Sequence, residues 1–159
     1  MNYLDAASSS HVSEFQLQQF KLLISRLFRC CQERMQYQSE RFNLPDAELR
    51  CLVLFGEERY LTAKGIAYKM NLVKSRVSRI SEGLLRKKLI QRFKDPEDSR
   101  VSLLSLTPNG QKKLDEINSF MEDIHSRVLQ QMVPDQRKAV LTNLEILKAS
   151  MESVKEMME

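Results

Sequence analysis

The chain is poor in the residues that build metal sites and catalytic centres. Among 159 residues it has two histidines, three cysteines and four glycines. His11 and His125 stand far from any further set of ligands, and no cysteines form a Cys-x-x-Cys pair, so we predict no metal site. No glycine-rich phosphate loop, nucleophile elbow or Ser/His/Asp set is present. We therefore predict neither an enzyme nor a bound cofactor.

Long apolar runs are also missing. Apolar residues make up 42% of the chain and charged residues 29%, an ordinary balance for a soluble domain. No apolar run approaches the ~18–20 residues that a membrane span requires. No basic segment leads into an apolar stretch at the N-terminus, as it would in a secretory signal. We expect one domain over residues 1–159, in the cytoplasm and without a membrane partner.

Charge is unevenly distributed along the chain. Residues 59–113 carry 14 Lys and Arg against 4 Asp and Glu, a local charge of +10, and the remainder sums to −6. A polyanion would be attracted to the first part and repelled by the second. An ordinary solvated face is the alternative interpretation. The basic segment coincides with the motif described next, so we favour a nucleic-acid partner.

Residues 61–110 show the pattern of a helix-turn-helix followed by a hairpin. Ala67 is small where two helices must touch, Asn71 tolerates a left-handed turn, and Val77 is a branched apolar residue that fixes the second helix. Thr62 is placed to cap the first of these helices. Such a unit projects its second helix into the DNA major groove. The chain is therefore predicted to read double-stranded DNA.

The second helix of the motif, predicted from Lys74 to about Lys88, has an apolar and a polar face. Its apolar side chains recur every three or four residues, as on a helix packed against a core. On the polar face Arg76 and Arg79 can each offer two donors to a guanine. The serines can bond phosphate or base, and the lysine phosphate. The buried set is Val77, Ile80 and Leu84, and the candidate DNA contacts are Lys74, Ser75, Arg76, Ser78 and Arg79.

A β-hairpin is predicted next, with strands at Leu89–Lys94 and Arg100–Leu106. The joining segment is rich in Asp and Pro, which favour turns. Arg100 follows Asp98 by two residues, so the carboxylate can direct the guanidinium toward an A·T-rich minor groove. An equally open alternative is that the two residues only stabilise the loop. Lys94 is a further candidate for contact with the DNA backbone.

Amphipathic helices flank this lobe. The first dozen residues lack periodicity and are expected to form a frayed arm, and a long helix is predicted over residues 13–42. Residues 108–158 hold two more, the last with a heptad seam longer than one small core can absorb. We expect both segments to pair two copies of the chain, although a seam packed within one monomer is the alternative. The apolar positions are Phe20, Ile24, Leu27, Cys31 and Met35 in the first helix and Val140, Leu144, Leu147, Met151, Val154 and Met158 in the last.

The stretch NLVKSRVSRISEGLLRKKLIQRFKDPEDSRVSLLSLTPNG resembles the core of the MarR family of winged-helix transcription regulators. The tip DPEDSR, followed by an apolar strand and SLTPNG, is its most specific part. The resemblance implies a mainly α fold of about six helices plus a wing, with a winged helix-turn-helix lobe at 45–106, dimerised through N- and C-terminal helices. It also implies a homodimeric repressor that binds a pseudo-palindromic operator and is released by a small-molecule effector.

Three positions depart from the pattern usual in that family. Val73 stands where a polar capping residue is frequent, so the cap either passes to Ser75 or is lost. Arg76 replaces a small hydroxyl residue, which suggests an altered base preference. Ser99 replaces a second arginine at the wing tip, which weakens the expected contribution of the wing.

Release from DNA has two candidate triggers. The resemblance implies an effector pocket where the long helices meet the lobe, although Met and aromatic residues at helical spacing are more often core. An alternative is a redox sensor that uses cysteine, but adjacent cysteines on a helix bridge poorly, and we favour structural thiols. A winged helix that docks proteins is a third reading. The pocket candidates are Phe20, Phe28, Met35, Tyr37 and Met121, and the thiols are Cys30, Cys31 and Cys51.

Overall fold

The computed structural model of the protein describes residues 11–158. Within that range the chain forms six helices and one small antiparallel sheet. The mainly α fold with a hairpin is thus confirmed, and the expected frayed arm falls almost entirely on residues 1–10, outside the described range. The order is α1 (Glu14–Phe42), α2 (Asp46–Leu54), β1 (Leu61–Thr62), α3 (Ala63–Met70), α4 (Lys74–Arg86), β2 (Ile90–Lys94), β3 (Ser102–Leu106), α5 (Pro108–Gln130) and α6 (Pro134–Glu156).

Local signals set the ends of the first helices. Ser13 Oγ accepts from the Gln16 N–H at 3.2 Å while the Gln16 side chain accepts from the Ser13 N–H at 3.0 Å, a capping box that starts α1. Asn43 adopts the left-handed conformation (φ 52°) and ends α1. Thr62 Oγ1 accepts from the Gly65 N–H at 3.0 Å and caps α3, as the sequence predicts.

The sheet contains a strand that the sequence pattern does not reveal. The predicted hairpin is present as β2 and β3, with Phe93 opposite Leu103 and Ile90 opposite Leu106. β1 adds a third strand on the other side of β3, with Leu61 opposite Leu104. A two-residue strand is too short to show periodicity, so only its pairing with a distant segment defines it.

The core of the lobe lies where α2, α3 and α4 meet above the sheet strands. Leu52, Ile66, Val77 and Leu84 are completely buried there. Each such side chain contributes about 1.5–3 kcal/mol by leaving water. Because α4 supplies two of the four, one of its faces is fixed by this core and the opposite face stays available.

The chain divides into two units, residues up to Thr107 and residues from Pro108 onward. In the second unit Leu114 and Ile117 on α5 are buried. None of the residues of α6, all of which the structure describes, is buried. Leu144 and Met151 are 51% and 54% exposed. Within this unit α5 therefore does not bury the apolar seam of α6, and pairing of the seam with a second copy of the chain stays a prediction.

Residues 11–158 lack two features. No helix in that range has the length and apolar character needed to cross a membrane. No group of three or more His, Cys, Asp or Glu in the same range is arranged to hold a metal ion.

Candidate nucleic-acid interface

The turn between α3 and α4 has the predicted geometry. Asn71 lies in the left-handed region (φ 52°, ψ 52°). The Leu72 N–H donates to the Ala67 carbonyl at 2.9 Å and closes the turn. Asparagine is among the few residues other than glycine that adopt this conformation at low cost. The turn therefore directs α4 away from α3, as a helix-turn-helix requires.

The two faces of α4 are those that the sequence predicts. Val77 and Leu84 are completely buried and Ile80 is 6% exposed. The structure brings all five predicted contacts of this helix onto one exposed surface, which we call the basic face. Exposure is the condition that DNA contact requires, and the contacts themselves stay a prediction. The basic face consists of Lys74, Ser75, Arg76, Ser78 and Arg79.

The first turn of α4 has lost its cap. Val73 occupies the N-cap position with extended backbone (φ −73°, ψ 150°), and no side chain in the described part of the chain caps this helix. Of the two outcomes that the sequence left open, loss of the cap is the correct one, and Ser75 does not take it over. Val73 is 69% exposed. The positive end of the helix dipole therefore lies uncovered beside the Lys74 ammonium.

The far end of α4 is held by a residue that sequence analysis missed. The Lys87 ammonium donates to the Glu48 carboxylate of α2, which is largely buried. Lys88 then adopts φ 56° and turns the chain into β2. The sequence indicates only that Glu48 is an acidic residue in the first turn of a helix. Since its partner lies 39 residues away, no local signal could have revealed the pair.

The wing tip holds Arg100 in one direction. The Arg100 Nε and Nη2 atoms donate to the two Asp98 carboxylate oxygens, each at 3.0 Å, and the Arg100 N–H donates to Oδ1 at 3.0 Å. These bonds, first those of the side chain and then that of the backbone, hold the pKa of Asp98 below its usual value. The pKa of Arg100 is raised by the same partner.

The Arg100 guanidinium nevertheless remains accessible, because its side chain is 88% exposed. Both interpretations of the pair, minor-groove contact and loop stabilisation, require this geometry and so stay open. Lys94, the other predicted contact on the hairpin, is exposed at the end of β2. Arg92 on the same strand pairs with Glu82 of α4 at 3.3 Å.

The three thiols differ sharply in environment. Burial, and secondarily the charge of Glu48, raises the pKa of Cys51 to about 12. Oxidation proceeds through the thiolate, so the raised pKa and the complete burial of Cys51 both disfavour it as a redox sensor. Cys30 and Cys31 are both exposed on α1. Cys31 is therefore not buried within the described single chain, and its packing against another helix stays a prediction.

The residues predicted to line an effector pocket are mostly exposed on α1. Phe20, Phe28 and Tyr37 are 47%, 63% and 54% exposed. Met35 on α1 and Met121 on α5 are half-buried. An effector pocket stays a prediction.

Comparisons with known proteins agree with this geometry. The model of the MarR family matches residues 44–102, from the start of the lobe to the first residue of β3. The HTH-type transcriptional repressor MdtR of Bacillus subtilis (strain 168) is 30% identical over 109 residues, which cover 69% of this chain and 70% of that protein.

Solved structures show the same architecture. The Staphylococcus aureus MepR–DNA complex is similar with a TM-score of 0.62 and 25% identity, over 80% of this chain and 98% of that one. The MarR family transcription regulator SP03579 gives a TM-score of 0.79 over 89% and 93% of the two chains, and its 18% identity shows the fold alone. The winged-helix fold inferred from the sequence is confirmed. The chain belongs to the MarR family of winged-helix transcription regulators.

Proposed function

We propose that this chain is a cytoplasmic repressor that binds a pseudo-palindromic DNA site as a homodimer and is released by a small-molecule effector. The observation that carries the proposal is the two-sided α4. One face is fixed in the core by Val77 and Leu84, both completely buried. The other is the basic face, with two exposed arginines at the start of the helix. Repression is supported by the likeness to MdtR, a transcriptional repressor.

Exposed apolar residues support the homodimer. On α1, Phe15, Leu27 and Phe28 are 73%, 55% and 63% exposed. On α6, Leu144 and Val154 are 51% and 56% exposed. Large apolar side chains exposed on the surface are typical of protein interfaces when they form patches. We propose that these helices associate with their copies in a second chain and so present two α4 helices to one duplex.

Each element then has a task on the DNA. Arg76 and Arg79 read guanines in successive major grooves, about 10 base pairs apart from centre to centre. Lys74 and Lys94 neutralise phosphates, which adds affinity but no sequence information. Arg100 enters the minor groove beside the half-site. The local charge of +10 over residues 59–113 supplies the attraction that these contacts need.

The direct test is selection of bound fragments from a random duplex library, followed by affinity measurements at several salt concentrations. We expect one enriched site with two-fold symmetry. The logarithm of the affinity should fall with the logarithm of salt by about 0.9 for each neutralised phosphate. A dimer that enriches no sequence would instead support a protein-docking role, and a flat salt response would contradict the assignment of the basic face.

The role of Arg76 is tested on the selected duplex. Arg76→Ala should weaken binding by roughly 1–3 kcal/mol and relax base choice at one position of each half-site. Arg50→Ala is the matched control, because Arg50 is an exposed arginine on α2, where it pairs with Asp46. An equal loss on scrambled duplexes would reassign Arg76 to phosphate contact.

Release by an oxidant is the competing mechanism, and the exposure of two thiols on α1 favours that helix as its place. Cys30 and Cys31 are exposed there, and Cys51 is buried with a raised pKa. Titration of the DNA complex with peroxide separates the two triggers. We expect no release from the wild-type protein. Release that disappears in the Cys30→Ser or Cys31→Ser protein would replace the small-molecule effector with a thiol switch.

A further inference from the structure

A carboxylate fills the space above the one glycine of α4. The Glu48 side chain reaches from α2 over Gly83, and a methyl group at Gly83 would lie 2.8 Å from Glu48 Cδ and closer still to Oε1. Real side chains do not approach so closely. Glycine in a helix interior costs about 0.5–1 kcal/mol relative to alanine. Gly83 is present despite this cost because the Glu48 carboxylate occupies the space that a side chain would need.

The Glu48 carboxylate is held rather than free to move away. Glu48 is 8% exposed, and its Oε2 accepts from the Lys87 ammonium, one helical turn beyond Gly83. Burying a carboxylate is costly unless it is paired. If the Glu48 carboxylate moved away from Gly83, its ion pair with Lys87 would break. The carboxylate therefore blocks the space above Gly83 and contacts α4 from one fixed direction. Apolar contacts such as those of Val77 and Leu84 are not directional in this way.

The contact at Gly83 lies on the same flank of the helix as Arg76. Gly83 follows Arg76 by seven residues, which is almost two full helical turns. The two residues therefore differ by only about 20° around the helix axis and lie about 10 Å apart along it. Arg79, four residues before Gly83, is within about 40° of the same flank. A roll of α4 by about 10° would move a group 6 Å from the axis by about 1 Å. Such a shift takes a good hydrogen bond beyond its working length.

We propose that Glu48 is a positioning residue for DNA recognition: its ion pair with Lys87 across Gly83 sets the roll of α4 and thereby the placement of Arg76 and Arg79. The inference rests on the proposed function in that its consequence is read on DNA. Its structural content, the roll of the helix, is independent of any ligand.

The DNA test measures the ratio of affinities for the selected and the scrambled duplex, well below the melting temperature. Gly83→Ala should reduce this ratio at least fivefold, the lower end of what one misplaced bidentate contact costs. Gly65→Ala is the matched control, because a methyl group there meets only Thr62 Oγ1 at 3.4 Å. It should leave the ratio within twofold. A variant that is only less stable would still give the wild-type ratio, because its folded molecules bind both duplexes as the wild type does.

A double substitution separates positioning from general damage. Glu48→Ala should also lower the ratio, because α4 loses its directional contact, and Lys87 can turn to solvent since its side chain is already 37% exposed. In the Glu48→Ala/Gly83→Ala protein the methyl group enters vacated space, so the ratio should be no lower than for Glu48→Ala alone. Additive losses would overturn the proposal, as would a Gly83→Ala protein with the wild-type ratio.

Amide chemical shifts of the DNA-free dimer give a readout that does not depend on binding. Gly83→Ala should displace the signals of residues 74–79, two turns away, and the double variant should show the signals of the Glu48→Ala protein instead. Displacements confined to the neighbours of Gly83 would overturn the proposal. If the wild-type protein prefers no duplex, the proposed function fails, and the shifts still decide whether Glu48 sets the roll of α4.

Discussion

The winged-helix lobe and the long helices α1 and α6 differ in what they leave exposed. In the lobe, large apolar side chains such as Leu52 and Ile66 are completely buried, and the outer surface is basic. On α1 and α6, side chains such as Phe28 and Leu144 are 63% and 51% exposed. The charge of the chain outside residues 59–113 is −6.

This difference shows which surfaces are complete in a single chain. The lobe buries most of its large apolar residues, and its basic surface is one that a polyanion would balance. The exposed faces of α1 and α6 need an apolar partner, because each large side chain gains about 1.5–3 kcal/mol when it is covered. In the homodimer that we propose, a second copy of the same chain provides such a partner by symmetry.

The largest expected effect comes from breaking the α6 seam. Leu144→Asp places a charge in the surface that we assign to the dimer, where burial without a partner is costly. We expect monomers in analytical ultracentrifugation and a loss of affinity for the selected duplex of about 10²–10⁴-fold, because one half-site no longer assists the other.

The matched control is Ala149→Asp. Ala149 is exposed on the same helix, and its position is nearly opposite that of Leu144 around the axis. The charge and the cost in helix propensity are similar, so this variant should remain dimeric. If Leu144→Asp stays dimeric with full affinity, the exposed apolar face of α6 is not the interface. The proposed difference between the lobe and the long helices would then be wrong.

The buried thiol of the lobe gives the next largest effect. The pKa of Cys51 is raised from 9.0 to about 12 by burial and then by the Glu48 charge. The unfolded chain therefore releases this proton at lower pH than the folded one. The stabilisation is complete below pH 9 and is lost as the pH rises toward 12, at about 1.4 kcal/mol per pH unit and about 4 kcal/mol in all.

Urea unfolding of the wild type and of Cys51→Ala between pH 8 and 11 isolates this contribution, since all other groups titrate in both proteins. The difference between their free energies of unfolding should shrink as the pH rises. A Cys30→Ser variant is the control from the exposed region and should run parallel to the wild type. A difference that stays constant with pH would mean that Cys51 ionises as easily in the folded protein as in the unfolded one.

Sequence patterns were most informative where the signal is local. The cap of α3 at Thr62, the turn at Asn71 and the two faces of α4 follow from capping, backbone preference and periodicity within one segment. The structure confirms each of them. The candidate basic face could be assembled in the same way, because its residues share one helix.

Contacts between distant segments were out of reach of the sequence. β1 pairs with a strand some 40 residues later, and Glu48 approaches Gly83 from another helix. Cys31 lies on a regular apolar stripe, yet it is exposed in the single chain. Periodicity shows which face of a helix is apolar, but it does not show whether that face is covered by the same chain or by another.

The start of α4 lacks a side-chain cap, although the rest of the lobe is well packed. Restoring the cap should stabilise the lobe and so increase its difference from the long helices. Val73→Ser supplies a hydroxyl that can accept from the first-turn N–H groups, and we expect a gain of about 1 kcal/mol in the free energy of unfolding. Val73→Ala is the control and should give no such gain. If the two variants are equally stable, the α4 N–H groups are already satisfied without a cap.

The smallest effect, at the wing tip, decides between the two interpretations of the Asp98–Arg100 pair. If Arg100 contacts the minor groove in the direction that Asp98 sets, then Asp98→Ala should weaken binding to A·T-flanked duplexes by roughly two- to fivefold, although it removes a negative charge. Glu97→Ala removes a neighbouring negative charge without touching Arg100, because the hydrogen bond at Glu97 comes from its backbone N–H to Asp95. That control should bind slightly more tightly. Fluorescence anisotropy at fixed salt measures both. If Asp98→Ala also binds more tightly, the pair only stabilises the loop, and charge alone governs what the wing contributes.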